Sequence, residues 1–93
     1  MKNYGKMKMG PVDVPGLGRT WVLMTADGEE FQRVVPGPED GWLYIAVDDE
    51  GAIRCAAAHP GQVPLENFDI WRIECSDAPT DVITKHWDGE KIT

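Results

Sequence analysis

Residues 42–58, WLYIAVDDEGAIRCAAA, decide how the rest of the chain is read. Trp42–Val47 is an unbroken apolar and aromatic run, rich in strand formers and too short for a buried helix; it predicts a strand covered on both faces. Asp48–Gly51 is an acidic turn ending in glycine. In the segment that follows, Ile53, Cys55 and Ala57 alternate with Arg54, Ala56 and Ala58, which predicts a half-buried strand with its apolar side inward. Alanines favour helix, but so short a run directly after a turn, without an N-cap, is a poor helix.

Working towards the C-terminus, His59–Phe68 holds two prolines and a glycine and is read as a link, with one helical turn at PLEN started by Pro64. Residues 69–75, DIWRIEC, alternate again, with Trp71, Ile73 and Cys75 opposed to Ile70, Arg72 and Glu74. This pattern predicts one core shared by Cys55 and Cys75. Two reduced, buried thiols are expected, with a disulfide as the alternative; no CxxC or zinc spacing occurs. SDAPTDV reads as a turn with a single helical turn after Pro79. ITKHW, Asp88-Gly89 and EKIT read as a closing hairpin whose Trp87 covers apolar surface and holds the chain end.

Towards the N-terminus, 36–41 is a loop, and TWVLM and EFQRVV around Asp27-Gly28 predict a hairpin of 20–24 with 29–35. Residues 1–19 lack a hydrophobic period and are broken by GPVDVPGLG, which predicts an extended arm. The fold expected is all-β: a small antiparallel sheet or barrel of about six strands built from hairpins, with residues 1–19 as a basic arm and 20–93 as a single β-rich domain.

Charge separates these two parts. The 93 residues carry a net −7. Residues 1–20 hold Lys2, Lys6, Lys8 and Arg19 against Asp13, a net +3, whereas residues 21–93 hold five basic and fifteen acidic residues, a net −10. A body this acidic repels nucleic-acid phosphate and anionic lipid, so neither nucleic acid nor membrane is an expected partner. No apolar run approaches the ~18 residues of a membrane span, and MKNYGKMKMG has no apolar signal core, which predicts synthesis in a cytoplasm. A basic arm on an acidic body predicts docking of the arm on a neighbour, the alternative being a loose tail.

No constellation for catalysis emerges. Ser76, the one serine, lies in a polar turn remote from His59 and His86. The carboxylates gather at turn tips, where water keeps them ionised, and not in pairs that a pocket could set apart. DDEGAIRCAAAH places Arg, Cys and Ala where a calcium loop needs oxygens. GLGR lacks the lysine and the following helix of a phosphate loop. No catalytic residue, cofactor or metal ligand is expected. What remains is aromatic and apolar surface in excess of what a thin core can enclose. The interface candidates are Tyr4, Lys6, Met7, Lys8, Met9, Trp21, Trp42 and Trp87.

The second half of the chain resembles a short module of tailed-bacteriophage tail-fibre and tail-fibre-assembly proteins. The resemblance rests on Asp48–Gly51, Pro64, Asp77–Pro79 and Trp87–Gly89, covers 42–93, and does not extend to residues 1–41. It implies a non-enzymatic structural protein of the virion, associated with the tail or its fibres and present in multiple copies or as a homo-oligomer. Its partners would be other tail, fibre or capsid subunits, met through the arm and the exposed aromatics. On that expectation, removing residues 1–19 leaves the body folded but abolishes incorporation. The alternatives are a capsid decoration (cement) protein and an acidic host-directed inhibitor.

Overall fold

The computed structural model describes residues 2–63 and 66–93. Six strands form two antiparallel sheets: β1 (Lys2–Lys6), β2 (Lys8–Val14), β3 (Gly18–Met24), β4 (Trp42–Val47), β5 (Ile53–Ala57) and β6 (Asp69–Glu74). One sheet is an open four-stranded layer in the order β1-β6-β4-β5, and the other is the hairpin β2-β3. The all-β expectation holds, with a sheet in place of a barrel.

β4 is central, as its composition demands. Leu43, Ile45 and Val47 enter one cluster with Ile53, Ala56, Ile73, Val82 and Trp87. Tyr44 and Ala46 enter the cluster on the opposite face with Tyr4, Met7, Leu23, Phe31, Val63 and Ile70. The short helix α2 (Pro79–Val82) and the chain end therefore cover one face. The root of the hairpin and the helical turn α1 (Phe31–Val34) cover the other. The Pro60–Gln62 turn borders the second of these clusters. The helical turn expected at Pro64 lies outside the described residues.

The N-terminal arm and the domain boundary after residue 19 require correction. β1 is an edge strand of the main sheet, paired with β6 from Lys2↔Arg72 to Lys6↔Asp69. Tyr4 and Met7 are buried, and Tyr4 packs edge-on against Phe31 with ring centroids 5.5 Å apart. Residues 8–14 form one half of the hairpin, so the expected boundary falls inside β3. The arm is extended, but Tyr4 and Met7 gain more from burial than from solvent.

The hairpin expected between 20–24 and 29–35 is also altered. Gly28 (φ 83°) closes a tight turn, its N–H donating to Thr25 O at 3.0 Å. Pairing then stops at the Met24↔Glu30 bridge, and the chain coils into α1, which places Phe31 in the core. β3 takes β2 as its partner, in register from Lys8↔Met24 to Val14↔Gly18.

The two cysteines do not share a core. A bulge between the Ala46↔Cys55 and Val47↔Ile53 pairs turns Ile53 and Cys55 to opposite faces. Cys55 packs with the Tyr44 cluster and Cys75 with the Leu43 cluster, and both are free thiols.

The closing hairpin is reduced to the Trp87↔Ile92 bridge and a reciprocal pair of hydrogen bonds between His86 and Thr93, at 2.8 and 3.3 Å. Bonds from Ile53 N–H to Lys85 O (2.9 Å) and from Thr84 N–H to Ile53 O (3.1 Å) tie this segment to β5. Trp87 is buried against Trp71 at 5.4 Å.

Candidate interaction surface

The hairpin β2-β3 is the element least used by the core. Its turn is built by Pro15 and Gly16 (φ 83°), with the Leu17 N–H donating to Val14 O at 3.0 Å. Proline fixes the first corner, and glycine supplies the positive φ at the second. At the root Leu23 is buried, but further along the hairpin Met9, Trp21 and Leu17 are 40, 60 and 82% exposed. The register places Met9↔Leu23, Pro11↔Trp21 and Asp13↔Arg19 on one face. Met9, Pro11 and Trp21 thus form a continuous apolar strip leading outward from the core. Beyond it lies the Arg19–Asp13 pair, 3.5 Å apart and well solvated at both ends. Such a pair contributes little and exchanges partners readily.

The hairpin projects along the molecule. Past the end of β3, the Ala26 N–H donates to Tyr4 O at 3.2 Å, so the returning chain lies beside β1 as well as β2. β1 and β2 therefore run on in one direction, interrupted by Met7, whose N–H donates to Phe68 O at 3.1 Å. The molecule measures 45 × 27 × 19 Å. A six-residue strand of the main sheet spans only about 20 Å, and the hairpin accounts for the remaining length.

Of the eight residues predicted to form an interface, three sit on this projection: Lys8, Met9 and Trp21, all exposed. Tyr4, Met7 and Trp87 are core residues, which corrects their assignment to a surface. Trp42 is half-buried beneath Arg72, whose guanidinium stacks 4.0 Å from the ring centroid and pairs with Glu39 at 2.5 Å. Lys6 pairs with Asp49 at 2.8 Å, a hydrogen bond that raises its pKa. Leu17 and Pro11 escaped notice because GPVDVPGLG reads as a breaker segment. The alternation of Val12 and Val14 within that segment is its local strand signal.

At the opposite end of the main sheet lies an open groove of about 760 Å³, lined by Gly41, Glu74, Cys75, Ser76, Asp77 and Glu90. Three of its six lining residues are acidic. The register fixes this polarity: Lys6↔Asp69 and Val47↔Asp69 mark the end from which the hairpin leaves, and Trp42↔Glu74 marks the end carrying the groove.

The remaining polar clusters are turn structure. The Asp48 carboxylate accepts from the Arg54 Nε and from the backbone N–H groups of Ala52 and Glu50, all at 2.8–2.9 Å, which lowers its pKa. Asp88 accepts from the N–H groups of Lys91 and Glu90 with the same consequence. His59 Nδ1 accepts from Gly61 N–H at 3.0 Å, capping the Pro60–Gln62 turn. Among the described residues no three His, Cys, Asp or Glu side chains converge as a metal site, and no helix is long and apolar enough to cross a membrane. No protein-family model, curated protein or solved structure matches the chain.

Proposed function

We propose that the protein is a non-enzymatic structural component of a tailed-phage particle, associated with the tail or its fibres, that docks on neighbouring subunits through the hairpin of residues 8–24. The observation that carries this reading is the apolar strip and tip on that hairpin. Met9, Leu17 and Trp21 are the large hydrophobic side chains left exposed among the described residues, and all three belong to one projecting element. An isolated two-stranded ribbon is marginal in water, and exposed Trp and Met are characteristic of protein interfaces. The second support is the resemblance of residues 42–93 to a tail-fibre module. Its acidic turns at Asp48–Gly51 and Trp87–Gly89 are the tips of a tight hairpin and of the closing bridge.

Mass spectrometry of purified particles, separated into tails and heads, tests the reading. Peptides of this chain in the tail fraction at multiple copies per particle are expected. Recovery only with heads would move it to the surface of the capsid, and absence from both fractions would refute a virion role.

A further inference from the structure

We infer that the neighbour contacted by the hairpin is a second copy of this chain, and that copies join head to tail, with the tip of one seated in the acidic groove at the far end of the next. This inference deepens the docking reading above by naming its partner.

Three features of the molecule carry it. The first is polarity. β1 and β2 run on past the Asp69 end of the main sheet, while the groove opens at the Glu74 end, so tip and groove lie at opposite ends of one long axis. A surface and its complement so placed on one chain make a heterologous contact, which repeats into a ring or a filament.

The second is charge. Arg19 lies at the tip beside the loosely held Asp13, and the groove presents Glu74, Asp77 and Glu90. The hairpin of residues 8–24 holds Lys8 and Arg19 against Asp13, a net +1, whereas the groove belongs to the −10 body. Opposite charge orients two copies end to end and opposes contact between two grooves.

The third is shape. The tip is narrow, formed by Pro15, Gly16, Leu17 and Gly18, with Leu17 as its one large side chain and 82% exposed. Gly41 and the half-buried Cys75 line the groove beside Glu74, Asp77 and Glu90, so a narrow apolar tip meets no bulky side chain at those two positions.

Disulfide trapping on the purified full chain decides the matter. In the double variant L17C/C55A each copy carries one thiol at the tip and the native Cys75 in the groove. Leu17 is exposed and Cys55 packs on the other face of the sheet, so the fold is retained, as a circular-dichroism melt will verify. Mild oxidation is expected to convert the monomer band into dimers, trimers and higher species on a non-reducing gel, and C55A alone or L17C/C55A/C75A should give no such ladder. Dimers that persist without Cys75 would establish hairpin-to-hairpin pairing and overturn the inference, as would a monomer left unchanged. Sedimentation velocity of the unmodified chain supplies the second readout. The sedimentation coefficient should rise with concentration and fall back to the monomer value in R19E. It should also fall between about 0.1 M and about 1 M salt, where the screening length drops from ~10 to ~3 Å. A chain that stays monomeric at every concentration refutes self-docking. If the same chain is nonetheless recovered from tails, the virion reading stands and the partner is another protein.

Discussion

Met7 and Met9 stand two positions apart and meet opposite fates, the first fully buried and the second 40% exposed. Met7→Ala should therefore cost about 2–5 kcal/mol, whereas Leu17→Ala at the tip should change stability by less than about 0.5 kcal/mol; urea titration of both variants checks the contrast. Gly5 is the glycine on which β1 depends. It lies at the bulge between Asn3 and Gly5, has φ 81°, and a Cβ built there would stand 2.4 Å from the Ala26 Cβ. Gly5→Ala adds left-handed backbone strain to a steric clash and should cost about 2–4 kcal/mol in the same assay. Titration also belongs to this scale. Asp48 and Asp88 have folded pKa values held below the ordinary carboxylate value by donors aimed at them, Arg54 first for Asp48 and the Lys91 N–H first for Asp88. A depressed pKa contributes stability above the unfolded-state value, and this is lost as pH falls through the folded one. Stability should accordingly decline as pH drops below about 4, and D48N/D88N, less stable at neutral pH, should show a shallower decline in acid melts.

At the scale of elements, the hairpin and the sheet differ in what holds them. β4 and β6 lie inside the sheet with both faces covered, whereas β2 and β3 pair only with each other beyond the root. Backbone amides of Val12, Val14, Thr20 and Val22 should exchange with solvent far faster than those of Ile45, Ala46 and Ile73, which amide hydrogen exchange will resolve residue by residue. The fate of a truncation is also changed. Removal of residues 1–19 takes away β1, Tyr4, Met7 and the partner of β3, so the truncated chain should fail to melt cooperatively in contrast to the folded body expected from sequence. Turn chemistry was legible at this scale because it is local: Asp27-Gly28, Asp48–Gly51 and Asp88-Gly89 all become turns or hairpin tips. β1 was not legible because its bulge breaks the two-residue period, leaving Tyr4 and Met7 spaced by three. A bulge beside Arg54 likewise hid the true facing of Cys55.

For the whole molecule, the decisive feature is a sheet covered on both faces by the two ends of its own chain. The N-terminal root with α1 lies on one side, and α2 with the C-terminal segment lies on the other. Cys55 and Cys75 stand on opposite sides of that sheet. A disulfide requires Cα atoms roughly 4.4–6.8 Å apart, so two thiols per chain should titrate after unfolding under non-reducing conditions. Trp21 alone among the four tryptophans is exposed. Acrylamide should quench one component of the fluorescence, which W21F removes and which self-docking shields where the strip is covered.

The sequence by itself determined the all-β class, the covering of Trp42–Val47 on both faces, the turns and the separation of charge, because each depends on a few neighbouring residues and on their exposure to water. Only the tertiary structure decided that Tyr4 and Met7 belong to the core, that β3 pairs with β2, and that Trp87 is buried while Trp21 is not. Those outcomes depend on which distant segments meet. An apolar side chain in a breaker-rich stretch is the same residue whether it finds a partner or projects into solvent.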